Sequence, residues 1–154
     1  MQATIAPADP DDPQTLDCWA AYFALLVASI PDLRADLFPL PDPHAASYRP
    51  PHGVHLLARA GGLALGCVSL RPLAPGLAEV KRLWVAPQAR GQGLARRLMQ
   101  AIETEARRLN YTTLNLDTHH ALTDAMALYQ KTGWTPIPAY SGYPSTRWFT
   151  KHLA

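Results

Sequence analysis

The chain has 154 residues, 48% of them hydrophobic and 17% charged, with a formal net charge of +2. That length and composition suit one globular domain with its own core and exclude a disordered or fibrous chain. The arginines are scattered among acids, so no nucleic-acid partner is expected, because such binders carry a concentrated basic face.

A short first strand is expected at residues 2–6. Asp9 to Pro13 then supplies a turn, an N-cap in Asp12 and a proline suited to the first helical position. Leu16, Trp19, Phe23, Leu26, Val27 and Ile30 follow at steps of three and four, which predicts an amphipathic helix ended by Pro31. The apolar run over residues 19–30 is shorter than the roughly 20 residues that span a bilayer, so no membrane partner is expected. The N-terminus has no basic stretch leading into an apolar core, and Cys18 and Cys67 stand far apart in apolar settings without the spacing of a disulfide framework. Both features point to a cytoplasmic protein.

Proline crowds residues 31–51 and forbids long regular structure there, apart from a short second helix at 33–38. Residues 54–60 and 63–70 read as strands joined by Gly61-Gly62, a two-residue hairpin connection whose glycines accept positive φ. Leu73-Ala74-Pro75-Gly76 turns the chain into a third strand, 77–85, completing an antiparallel meander. Beyond Gly91 the period changes. Leu94, Leu98, Ala101, Ile102 and Leu109 share one side, arginines lie opposite, and Glu103 precedes Arg107 by one turn, which predicts a long amphipathic helix. A strand at 112–116 comes next, then a short helix carrying Leu122, Ala125, Met126 and Tyr129 that stops near Gly133, and two short strands from Trp134 onward. No repeat or shift in composition marks a second domain. The fold class is therefore mixed α/β, one domain over 1–154.

The segment Arg90-Gly91-Gln92-Gly93-Leu94-Ala95 carries the chemistry. Its glycines let the backbone curl and approach a ligand, while the unpaired N–H groups and the positive dipole end of the following helix attract an anion such as a pyrophosphate. The same residues would also serve a plain strand-to-helix connection. The Lys-Ser/Thr of a P-loop and the third glycine of a dinucleotide fingerprint are both missing, so ATP and NAD are not expected.

The segment resembles the signature of the GNAT N-acetyltransferase superfamily: Arg or Gln, two residues, Gly, one residue, then Gly or Ala. Arg90, Gly93 and Ala95 fill those places. Glu79-Val80-Lys81-Arg82-Leu83-Trp84-Val85 resembles the strand that precedes it in the family. Ala125-Met126-Ala127-Leu128-Tyr129-Gln130-Lys131-Thr132-Gly133-Trp134 resembles the second cofactor-side motif, with Trp134 in place of the usual phenylalanine. Leu122 stands where many relatives carry a cofactor-contacting asparagine, so that contact is not carried over. Tyr48 to Gly53, Leu116-Asp117-Thr118 and Pro138 to Pro144 are similar to segments of small stand-alone bacterial members.

The resemblance implies a mixed, mostly antiparallel twisted sheet of six or seven strands flanked by about four helices. It implies acetyl-CoA as cofactor, leaving as coenzyme A, held by Leu83, Trp84, Val85, Arg90, Gly91, Gln92, Gly93, Leu94 and Ala95. The acetyl group would pass directly to a primary amine of a small molecule or peptide in a ternary complex. In that scheme the Val85 N–H polarises the acetyl carbonyl, Glu79 is the general base and Tyr129 protonates the departing thiolate. Glu79 could instead pair with Lys81 or an arginine, Tyr129 could be a core aromatic, and Arg90 could be merely solvated. Tyr48, His52, Tyr140 and Tyr143 come from loops expected to border the acceptor cleft, where they would sort amines or simply pack. Cys67 reads as core, the adjacent His119 and His120 read as surface residues, and no metal is expected. A non-catalytic acyl-CoA-binding sensor is the alternative function, and a homodimer is left open.

Overall fold

The computed structural model describes residues 2–154. Seven strands form one sheet in the order β1-β2-β3-β4-β5-β7-β6. They are β1 (Thr4–Pro7), β2 (Val54–Ala60), β3 (Leu63–Ala74), β4 (Leu77–Val85), β5 (Thr113–Thr118), β6 (Thr135–Pro136) and β7 (Arg147–His152). Every neighbouring pair is antiparallel except β4 and β5. The described residues contain three α-helices: α1 (Pro13–Ser29), α2 (Leu94–Arg108) and α3 (Thr123–Lys131).

Local chemistry sets most of these boundaries. The Asp12 carboxylate accepts the Gln14 N–H at 2.8 Å and Pro13 opens α1. Gly61 and Gly62, at φ 58° and 78°, close the β2-β3 hairpin, a geometry that matches the right-handed twist of the strands. The helix expected at 33–38 shrinks to a 3-10 turn over Ala35–Leu37, and a second 3-10 turn, Ala45–Tyr48, lies in the stretch read as loop. The expected fourth helix is therefore absent from the described residues. Prolines bracket both segments and leave no room for the successive i to i−4 bonds of an α-helix.

The sheet divides two cores. On one face α2 and α3 pack through Leu98, Met99, Ile102 and Tyr129 onto Val68, Leu70, Val80, Leu114 and Leu116. Full burial of side chains such as Leu98 and Ile102 contributes about 1.5–3 kcal/mol each. On the other face α1 lays Cys18, Trp19, Phe23 and Leu26 over Leu57 and Cys67. Lys151 of β7 reaches across to Glu103 at 3.0 Å and to the Thr132 carbonyl at 2.7 Å, tying the end of α3 to α2. Among the described residues no helix is long and apolar enough to cross a membrane.

His55 lies beneath α1, 1% exposed. Its Nδ1 meets the Ser69 hydroxyl at 2.8 Å and its ring stands edge-on to Trp19. Burial, seconded by the Arg82 charge, pushes its pKa down to about 3. The unfolded chain thus binds more protons than the folded one between pH 6.5 and 3, and stability falls as pH falls through that window. The slope approaches about 1.4 kcal/mol per pH unit. Denaturant melts at stepped pH should show a shallower acid loss in His55→Leu than in the wild type, and equal slopes would contradict this assignment.

Candidate active site

Strands β4 and β5 lie parallel and touch only briefly: Leu77 faces Thr113, Ala78 faces Leu114 and Glu79 faces Asn115. Beyond that point they part. The upper half of β4 also bulges, because its register against β3 shifts between Cys67 and Ser69, and Arg82 there takes a positive φ of 59°. A non-glycine residue in this region is uncommon and marks a position that its surroundings force. Arg82 is held by Asp42 at 2.6 Å and by the rings of Trp19, Phe23 and Tyr48, 4.2 to 5.0 Å from its guanidinium carbon. From behind, the Cys67 thiol donates to the Arg82 carbonyl at 3.3 Å.

The parting of the strands frees backbone groups. Ala86 N–H donates to the Leu65 carbonyl at 2.8 Å, so Ala86 faces β3. Alternation then turns the N–H and carbonyl of Val85 the other way, toward the gap. The Val85 carbonyl is taken by Arg90 Nε at 3.0 Å, while its N–H meets no β5 partner. Arg90 therefore braces the strand end with its side chain.

Past a 3-10 turn at Pro87–Ala89 the chain enters α2 through Gly91 and Gly93, at φ 76° and 77°. A Cβ built at either glycine meets nothing within 4 Å. The first amide of this run with an acceptor in the chain is that of Arg97, which donates to the Gly93 carbonyl at 3.1 Å. Among the described residues, the amides from Gly91 to Arg96 have no backbone acceptor, at the positive end of the helix. The turn that opens α2 thus sets a run of amides without backbone acceptors beside the strand gap.

A cleft of about 320 Å³ lies on the α1 face next to the gap, walled by aromatic residues of α1 and the loop after it and floored by Arg71, Lys81, Arg82 and Asp117. Glu79 lies just below this floor, 1% exposed. Arg71 donates to its Oε1 at 2.7 Å, Lys81 stands 3.8 Å from the same oxygen, and the Tyr140 hydroxyl donates to Oε2 at 2.6 Å. The Glu79 carboxylate is thus paired with an arginine and also bonded to a phenol. Asp117 accepts from Lys81 at 2.9 Å and from Ser141 at 2.7 Å. Burial pushes its carboxyl up, but Lys81 and the Ser141 and Ser145 hydroxyls outweigh that, and the net displacement is downward.

Tyr129 approaches from the opposite side of the sheet, its ring 6.0 Å from those of Trp134 and Phe149. Burial, then the Asp117 charge, pushes its phenol well above the ordinary range. Tyr22 of α1 lines the cleft, and its phenol is displaced upward too, by burial and then by the Tyr129 and Asp117 charges. Tyr22 was not among the sequence candidates, because it lies on the flank of the α1 stripe.

The four loop candidates separate. Tyr48 and Tyr143 line the cleft, Tyr143 with 71% exposure, and Tyr140 bonds to Glu79. His52 is exposed and away from the lining, with its carbonyl taken by Tyr111 at 2.6 Å. His119 corrects the surface reading: it is buried at the cleft, its Nδ1 accepts the Ala121 N–H at 3.0 Å, and only His120 is exposed. Cys67 is fully buried, gives its thiol hydrogen to the Arg82 carbonyl and is pushed by burial well above the usual range, so it is packing and not an acyl carrier.

Comparison with known proteins identifies the family and the fold. Residues 19–134 match the family model described as the acetyltransferase (GNAT) family. An uncharacterized N-acetyltransferase of Schizosaccharomyces pombe is 40% identical over 63% of this chain, a region spanning 61% of the yeast protein. An IAA acetyltransferase of Azospirillum brasilense is 32% identical over 83% of this chain and 88% of its own. The PaiA N-acetyltransferase of Thermoplasma acidophilum, solved in complex with coenzyme A, superposes with a TM-score of 0.77 over 99% of both chains at 15% identity and so shares the fold.

Proposed function

The chain belongs to the acetyltransferase (GNAT) family and is an N-acetyltransferase; we propose that its donor is acetyl-CoA and its acceptor a primary amine of a small molecule. The observation that carries this reading is the set of unpaired amides opening α2 beside the freed N–H of Val85. The amides of Gly91 to Ala95 would hold the diphosphate, Leu83, Trp84 and Val85 would line the pantetheine arm, and the Val85 N–H would polarise the acetyl carbonyl. The amine attacks that carbonyl from the α1 face. Its C–N bond forms as the C–S bond breaks, the nitrogen loses a proton and the sulfur gains one.

The amine's proton passes to Glu79 through Tyr140, whose hydroxyl already donates to the carboxylate. Tyr129 supplies the proton to sulfur from the other side, and its raised pKa keeps that proton in place at neutral pH. An alkylamine with a pKa of about 10 is almost wholly protonated at pH 7. Glu79→Gln should therefore lower kcat by roughly 100-fold at pH 7 and recover as pH approaches the amine's own pKa. Acetyl-CoA affinity should change little. Coenzyme A release assayed across pH with a panel of amines tests the reading, and a flat profile for Glu79→Gln would remove the base assignment.

A further inference from the structure

The cleft floor has an imbalance between donors and acceptors. Each carboxylate oxygen of its two acids already accepts a bond: Glu79 from Arg71 and Tyr140, Asp117 from Lys81 and Ser141. The cations are far from spent. Arg71 uses Nε and one terminal nitrogen on Glu79 while its side chain is 36% exposed, and Lys81 has one hydrogen bond, to Asp117. Guanidinium and ammonium carry several further N–H donors and no acceptor. The two heads lie side by side, since both approach Glu79 Oε1. Arg82 differs from them, being covered by three rings and bonded to Asp42. The charges balance, each cation having its carboxylate, and what the floor lacks is acceptors for the remaining N–H donors.

The opposite wall is apolar and aromatic, with Tyr22, Phe23, Phe38 and Tyr48 around a space of about 320 Å³. That volume suits one compact molecule and is small for a polypeptide segment. We infer that the acceptor is an amino acid with an aromatic or large apolar side chain, its ring against the α1 wall and its carboxylate on Arg71 beside Lys81. The assignment rests on the acetyl transfer proposed above and narrows its acceptor. The free N–H donors of Arg71 and Lys81 find an acceptor in a carboxylate and none in an ammonium chain, which makes a polycation such as spermidine a poor acceptor.

The test measures coenzyme A release from acetyl-CoA with L-phenylalanine, L-phenylalaninamide and spermidine, on the wild type and on Arg71→Gln. The quantity read is the ratio of kcat/KM for the acid to that for the amide. Intrinsic amine reactivity cancels when this ratio is compared between the two proteins. A charge-assisted bond to Arg71 predicts that the substitution lowers the ratio by about tenfold or more. If Arg71→Gln folds but turns over neither substrate, binding of N-acetyl-L-phenylalanine and of its amide to the coenzyme A-loaded proteins gives the same ratio. A ratio unmoved by the substitution, or spermidine used better than phenylalanine by the wild type, overturns the proposal. If phenylalanine fails while other amines release coenzyme A, the acceptor assignment is wrong and the transfer stands. If acetyl-CoA itself does not bind, both fall.

Discussion

Gly93→Trp should fold and yet bind acetyl-CoA on the order of 100-fold more weakly, a loss of about 2.7 kcal/mol. Gly93 sits at φ 77° as the N-cap of α2, and the space its missing side chain leaves is empty of protein atoms. That opening is where the diphosphate must come within hydrogen-bond reach of the amides, and an indole there would occupy it. A left-handed φ costs a non-glycine residue about 1–2 kcal/mol, which the buried face of α2 can absorb, since Leu94, Leu98, Met99 and Ile102 stay in the core. Calorimetric titration with acetyl-CoA, alongside a melting curve to show that the variant is folded, reads the effect. Undiminished affinity in the folded variant would place the cofactor elsewhere.

Tyr129→Phe should lower kcat by about 100-fold at pH 7 and leave acetyl-CoA affinity near that of the wild type. The ring keeps its neighbours Trp134 and Phe149, so the change removes a proton donor and little packing. A thiol with a pKa of about 8.5 is a fair leaving group, which sets the effect at the lower end of what general acids supply. The deficit should shrink as pH rises through about 8.5, where the thiolate departs without a proton. Since Tyr129 itself is displaced upward, the wild type keeps its acid through that range. Equal kcat in the two proteins would make Tyr129 a core aromatic and nothing more.

What the sequence made legible was local. Asp12 and Pro13 begin α1, Gly61-Gly62 makes the hairpin, and the stripe from Leu94 to Ile102 makes α2; each follows from one residue's conformational preference or from a single periodicity. The glycine turn that opens α2 was legible for the same reason. The bulge at Arg82 was not, because nothing in Lys81-Arg82-Leu83 announces a positive φ; the cage of Trp19, Phe23, Tyr48 and Asp42 imposes it from outside the strand. The meeting of Cys18 with Cys67 likewise depends on how α1 lies on β3. The partner of Glu79 was hidden for a similar reason: counting back from the turn at Gly76 sets Pro72 opposite Glu79, and only the bulge between Pro72 and Ala74 moves Arg71 into that place, where opposite charges across the strand pair support one another. His119 was misread as surface because two adjacent histidines in a loop carry no sign of which one turns inward.

The central claim is that the amides opening α2 hold the diphosphate of the acyl carrier. A crystal structure with coenzyme A bound tests it most directly. The account predicts diphosphate oxygens about 2.7–3.2 Å from backbone nitrogens between Gly91 and Ala95, with the thiol in the gap near Val85 and Tyr129. A diphosphate bound elsewhere on the chain, with those amides facing solvent, would contradict it.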